Sequence, residues 1–398
     1  MGLSGLFSIG LSGVNAYAAS LEAISQNVAN TQTAGYKRAQ TDFSTLISAL
    51  APSGGISGGG VAAQNRVAVD EQGAITRTQS ATDIAIEGDG FFVVSETADA
   101  GAPVSFTRSG SFSINGDGDL VNAAGYFLRG SPVGDAGQSS VGGLSALQVI
   151  NIDQNASVLE PTSQMTLAGR LPLNATPGDL VSQTVNITDE NGDTRSVNFE
   201  FSVNASGGFD VRAVRLSDNV AIANGALAFD ANGRIDRDAS TLPRTLEVAP
   251  GQSASLDLSG LIRAAGAATF SEASADGAPA GFLTGVEITG DGFVNALYSN
   301  GLQRSLYQVP LATFANQSAL QEGAVSTFLA TTQAGDVSLN GPQSGRAGTL
   351  QAGALELSTV DIGQEFSRLI ETQRAYAANT RIISVGDELW RTLTETAR

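Results

Sequence analysis

The chain has 398 residues, 42% of them hydrophobic and only 15% charged, with 47 glycines and a formal net charge of −18. That apolar content is enough for the cores of two or three domains, and a glycine-rich, charge-poor remainder suits strands joined by tight turns. The acidic balance excludes nucleic acid or an anionic membrane as partner. With no Cys and no His, the chain also lacks disulfides and all thiol or imidazole chemistry, catalytic or metal-binding.

Residues 3–28 are expected to form a helix. Phe7, Val14, Leu21 and Val28 recur every seven residues, and Leu3, Tyr17 and Ile24 fill a second seam that Gly10 interrupts. Such a heptad stripe calls for a partner along its whole length. Small residues on the other faces, among them Gly5, Ser8, Ser12, Gly13 and Ala18, allow close approach by several helices. Seven apolar side chains supply at most about 10–20 kcal/mol gross, against about 40 kcal/mol for ordering about 26 residues. Backbone hydrogen bonds bring the isolated helix only near balance. It therefore needs neighbours on several sides, which points to a polymer. No cationic segment precedes the stripe, so no cleaved signal peptide is expected, and no apolar run reaches the roughly 18–20 residues of a membrane span.

The segment 36–60 is expected to be a linker, flexible from Ala51 to Gly60 by composition. From 61 to 145 come short strand candidates at 84–86, 91–94, 111–114 and 125–128, closed by a Gly/Ser-rich boundary at 131–145. Residues 146–280 form a further strand-rich block. A third block echoes the first, since Ile86-Glu-Gly-Asp-Gly-Phe91 and Ile288-Thr-Gly-Asp-Gly-Phe293 share one spacing. On that basis 61–145 and 281–355 build one inner β-domain, with 146–280 inserted as an outer one.

The last segment, 356–398, is again helical. Ile362, Leu369, Tyr376, Ile383 and Trp390 keep one seven-residue stride, with Phe366, Ile370 and Leu389 beside it. The expected fold class is therefore mainly β and multidomain, with nested β-domains and with N- and C-terminal helices (1–35 and 356–398) forming an antiparallel or oligomeric coiled coil.

Carboxylates are the only acid–base candidates left. A carboxylate-pair glycosidase would want aromatic subsites, and the single Trp lies in the C-terminal helix. No catalytic site, cofactor or metal is expected. The acidic turns at 115–119 and 189–193 miss the calcium-loop pattern, with Leu120 and Thr194 where its glycine belongs, and read as β-turns.

The segment Asn27-Val-Ala-Asn30-Thr-Gln-Thr33-Ala-Gly35-Tyr36-Lys37-Arg38 resembles the N-terminal signature of the bacterial flagellar rod and hook proteins. Residues 356–387, with Gln373, Arg374, Tyr376 and Asn379, resemble the C-terminal helix of that family. Gly88-Asp-Gly-Phe-Phe92, Phe106-Thr-Arg108-Ser-Gly110-Ser-Phe112 and Leu306 to Phe314 are similar to stretches between them. The length and the block at 146–280 are closest to the hook members. The resemblance implies a homopolymer, assembled into a curved hollow tube that acts as a universal joint passing motor torque from rod to filament. It also implies a place in the extracellular hook of the flagellar basal body, reached through the flagellar type III export apparatus. The implied partners are the distal rod, the hook cap and the hook–filament junction proteins. A distal-rod or junction protein of the same family, or an acidic extracellular β-rich binding module, are the alternatives.

Overall fold

The computed structural model describes residues 3–48, 57–99, 101–134, 142–205 and 207–396. The chain divides into two compact units: Met1–Asp153, Val286–Asn295 and Ser305–Arg398 form the first, Gln154–Gly285 and Ala296–Arg304 the second. The class is the expected one, mostly strand with a helix near each end.

In the first unit, helix α1 spans Leu3–Ala29. It ends where the Asn30 amide turns back to Gln26 and Asn27, and Gly35 then takes φ +69°. Strands β1 (Ala39–Ser48) and β2 (Ser57–Val67) follow as an antiparallel ribbon, in register from Ala39↔Val67 to Ser48↔Ser57 with a bulge at Leu46/Ile47. Where a linker was expected over 36–60, residues 39–48 and 57–60 are strand instead, and 49–56 lie outside the described residues. Thr41, Phe43 and Thr45 supply β-propensity on one strand. The glycines opposite serve close packing: a side chain at Gly60 (φ +111°) would collide with Ser12 of α1.

The β-body of this unit has a sheet in the order Phe127–Pro132, Phe92–Ser95, Val104–Thr107, Thr327–Leu329, Gln321–Glu322. Phe91, Phe106, Phe314 and Phe328 meet edge to face in its core, with ring centroids 4.9–5.9 Å apart. Two further pairings tie the late chain to the early chain: Thr349–Ala352 with Ile84–Glu87, and Ala354–Glu356 with Ile75–Arg77. Helix α2, Ile362–Thr396, follows. The two sequence echoes do different work. Gly88 and Gly90 both take positive φ between strands of separate sheets, whereas Thr289 to Phe293 closes a hairpin with only Gly292 at positive φ.

The second unit contains two sheets around one core. Five antiparallel strands from Leu180–Thr188 to Ile235–Asp236 follow in chain order. The other sheet centres on Gln164–Pro172, parallel to Gln252–Asp257 and Leu261–Ala264 and antiparallel to Thr269–Ala275. Alternation along Thr194–Val203 puts Val197, Phe199 and Phe201 inward, in one cluster with Met165, Leu167 and Leu256. Both acidic turns close hairpins. Asp189 Oδ1 accepts the amides of Asn191 and Asp193, as Asn115 Oδ1 accepts those of Asp117 and Asp119. A glycine in the left-handed region completes each, as a three-residue hairpin loop requires.

Candidate assembly interface

Helix α1 carries one charge, Glu22, along its length. Its most buried positions are Gly10, Gly13, Ala16, Ser20, Ala23, Ile24 and Asn27, a stripe at helical spacing in which only Ile24 is bulky. Along α2 the matching positions are Glu365, Thr372 and Gly386, buried, with Leu369, Tyr376, Asn379 and Ile383 half-buried between them. The helices run antiparallel. Phe7 packs on Gly386, Gly10 on Ile383 and Gly13 on the Asn379 carboxamide, and Asn27 Nδ2 donates to Glu365 Oε2 at 3.2 Å. The ribbon lies against α1 as well. Val61 N donates to Ser12 Oγ at 3.1 Å, and the Tyr17 and Phe43 rings are 5.3 Å apart.

The sequence-derived seam is thus placed differently from a bulk-on-bulk stripe. Of its α1 members Ile24 is buried, Phe7, Val14, Tyr17, Leu21 and Val28 are half-buried, and the Leu3 side chain lies outside the described residues. On α2, Leu369, Tyr376 and Ile383 are half-buried, while Ile362, Phe366 and Trp390 are each about half exposed. The pairing is large on small, Phe7 on glycine and Ile383 on glycine. A search for apolar bulk does not register that, because glycine contributes closeness rather than surface. Phe366, Ile370, Val385, Leu389 and Trp390 keep 49–52% of their surface in water, and Leu11 keeps 55%.

Where the helices meet the β-body, the signature residues form a polar junction. Asn27 is buried and uses its whole carboxamide. Nδ2 donates to Ala39 O (2.7 Å) and to Glu365, while Oδ1 accepts Ala39 N (2.8 Å) and the Tyr36 hydroxyl (3.3 Å). Asn30 and Thr33 close the helix end, with Thr33 Oγ1 donating to Asn30 Oδ1. Gly35 donates its amide to Glu356 O at 2.8 Å, and a Cβ there would overlap the backbone of Arg108 and Ser109. Burial and the Glu322 and Glu365 carboxylates push the Tyr36 hydroxyl up to about 12. Gln373 and Arg374 face solvent.

Three more charged groups converge there to which no role falls from sequence. Lys37, the only lysine in the chain, is buried and donates to Glu356 Oε1 at 2.6 Å and to the Glu71 carbonyl. Glu356 Oε1 also accepts Gly73 N at 2.8 Å. Its Oε2 faces Arg108 Nη1 at 3.6 Å, an attraction of charge without a hydrogen bond. The Arg108 guanidinium lies 5.1 Å from the Phe91 ring centroid. Burial lowers both cations below their ordinary values, against the pull of Glu356. The available signal was chemical: a solitary lysine inside a signature, and an acid and an arginine inside two other family-like stretches.

Two family models match the chain. One, described as the flagellar hook protein FlgE/F/G D1 domain, covers residues 85–211. The other, the flagellar basal body rod FlgEFG protein C-terminal region, covers 351–396. The flagellar hook protein FlgE of Brucella suis is 34% identical over 404 residues, spanning 100% of both chains. That of Escherichia coli K12 is 28% identical, covering 97% of this chain and 98% of its own. The crystal structure of Helicobacter pylori flagellar hook protein FlgE2 shares the fold at 13% identity. Its TM-score is 0.50, over 69% of this chain and 99% of that one. A β-rich body between paired terminal helices, with these signatures at the junction, is that of an axial protein of the flagellar rod-and-hook class. Within that class the chain belongs to the flagellar hook protein FlgE family, whose members are structural subunits of the hook and not enzymes.

Proposed function

We propose that copies of this chain polymerise through their terminal helices into a curved hollow tube, the hook, that passes torque from rod to filament. One observation carries this reading. The α1–α2 pair satisfies a single stripe of each helix and leaves large apolar side chains half in water. Completing the burial of the six most exposed gains about 1 kcal/mol apiece, half of the 1.5–3 kcal/mol for a whole side chain. That makes roughly 6 kcal/mol per subunit, spread over several faces as a multi-neighbour lattice requires. The nested arrangement, an inner β-domain from 61–145 and 281–355 with an outer one from 146–280, is part of the proposal, and the division of the chain near residue 153 supports it. So are export through the flagellar type III apparatus without a cleaved signal, and end contacts with the distal rod, the cap and the junction proteins.

Leu21→Asp and Ile383→Asp test the reading. Each is expected to give a soluble monomer with its β-structure intact by circular dichroism and no tubes by electron microscopy. Normal tubes from either variant would sink the proposed seam.

A further inference from the structure

Both arms that connect the helices to the β-body run through one point. The N-terminal arm (30–39) passes it at Gly35 and Lys37, and the C-terminal arm at Glu356 and Leu357. The β-body contributes Glu71, Gly73 and Arg108. Side chains at Gly35 or Gly73 would collide with the backbone of Arg108 and Ser109 or of Leu357, so backbones from all three directions are in direct contact. The Glu356 side chain is fully enclosed, and those of Lys37 and Arg108 are 1% and 4% exposed. One carboxylate thus holds two cations from different parts of the chain. Arg108 hands the contact on to Phe91 in the aromatic core, while Asn27 and Tyr36 hand it to Glu365 on α2.

A pivot would look otherwise, with exposed backbone, few buried contacts and solvated charges. We propose that Lys37, Arg108 and Glu356 form a load-bearing clamp that fixes both arms of the helix pair to the β-body. Torque borne by the helices then reaches the body without pivoting at 30–39 or 356–361. The mechanical consequence rests on the tube reading above; the closed clamp does not. Removing one member of such a cluster is costly because the remaining charges stay buried without their partner. Tilting within the first unit is therefore expected to be small.

The solitary lysine makes the clamp directly readable. The full chain, as monomer and as polymer, is treated with an N-hydroxysuccinimide acetate ester at neutral pH, and acylation of Lys37 is followed by peptide mass spectrometry. Lys37 is expected to react at least about 100-fold more slowly than in urea-unfolded chain. Glu356→Gln should speed it about tenfold or more, whereas Glu71→Gln, whose carboxylate pairs with Arg38 near the surface and pulls on Lys37 less than Glu356 does, should change it far less. If Glu356→Gln fails to fold by circular dichroism, Arg108→Gln is read in its place. Tubes of the variant should show a wider spread of subunit twist and lower torsional stiffness in a bead-tether measurement, and a folded variant that forms no tubes supports the clamp equally. Lys37 reacting in the folded wild type as fast as in the unfolded chain overturns the proposal. So do variant tubes as stiff as wild type once Lys37 is freed. If the wild type itself forms no tubes, the tube reading fails while the labelling still decides whether the clamp is closed.

Discussion

Asn27→Ala removes the carboxamide that joins α1, β1, Tyr36 and α2. It leaves four groups without their partner: the amide and carbonyl of Ala39, the Tyr36 hydroxyl and Glu365 Oε2. Three neutral bonds at about 0.5–1.5 kcal/mol net and one to a carboxylate at about 1.5–3 give a range of roughly 3–7.5 kcal/mol. A cavity of about 320 Å³ lined by Ala39, Glu365 and Thr372 adjoins the site, and water entering it can serve part of what is lost. The expected cost is therefore at the lower end, about 3–4 kcal/mol. Amide hydrogen exchange of the full chain measures it, as a rise of about 10²-fold or more in the exchange of α1 and the first turns of α2. Asn27→Asp should cost more at neutral pH and recover in acid, because it turns the donor facing Ala39 O and Glu365 into a second carboxylate oxygen. Exchange in Asn27→Ala within threefold of wild type would refute the reasoning.

Gly13→Leu is expected to separate the helix pair, because even a Cβ overlaps the Asn379 carboxamide and Gly10 next to it already has Ile383 Cγ1 within 3.0 Å of a Cβ position. Loss of α2 amide protection with the β-body unchanged is the readout. Tyr36, raised from 10.0 to about 12, contributes stability that is whole below about pH 10 and is lost as the pH rises through 12. The loss is on the order of 1–3 kcal/mol once solvent screening is allowed for, and an alkaline denaturation series should show the step in wild type and not in Tyr36→Phe. In the second unit burial works against ionisation of Asp189, but the Arg195 guanidinium and the amides of Asp193 and Asn191 outweigh it and hold the carboxyl below its ordinary 3.8. Its contribution is present above that value and disappears as the pH falls through the depressed one, so Asp189→Asn should lower stability at pH 7 and blunt the acid transition of Leu180–Val203.

The legible parts of the molecule were those written in local chemistry. Both terminal helices follow from seven-residue strides, the acidic turns from Asn or Asp three places before a glycine, and the strands of the second unit from alternation such as Val197, Phe199, Phe201. The part of the ribbon before residue 61 reads as a linker because Gly58 to Gly60 look the same whether they give freedom or allow contact. Which applies depends on Ser12, about fifty residues away. Within one chain the two helices pair along a different stripe from the heptad one, for a related reason. Heptad reading ranks side chains by apolar area, and this interface is set by where area is missing, at Gly10, Gly13 and Gly386.

By itself the amino-acid order determined that two amphipathic ends flank a β-rich middle, that no thiol or imidazole chemistry operates, and which family the signatures resemble. Tertiary structure alone decided that the stretch after α1 lies on it as a ribbon, and that Lys37, Arg108 and Glu356 enclose one another. The reason is range. Periodicity and turn propensity are properties of a few neighbouring residues. Burial of a charge depends on groups brought together from positions 37, 108 and 356, whose proximity no local pattern encodes.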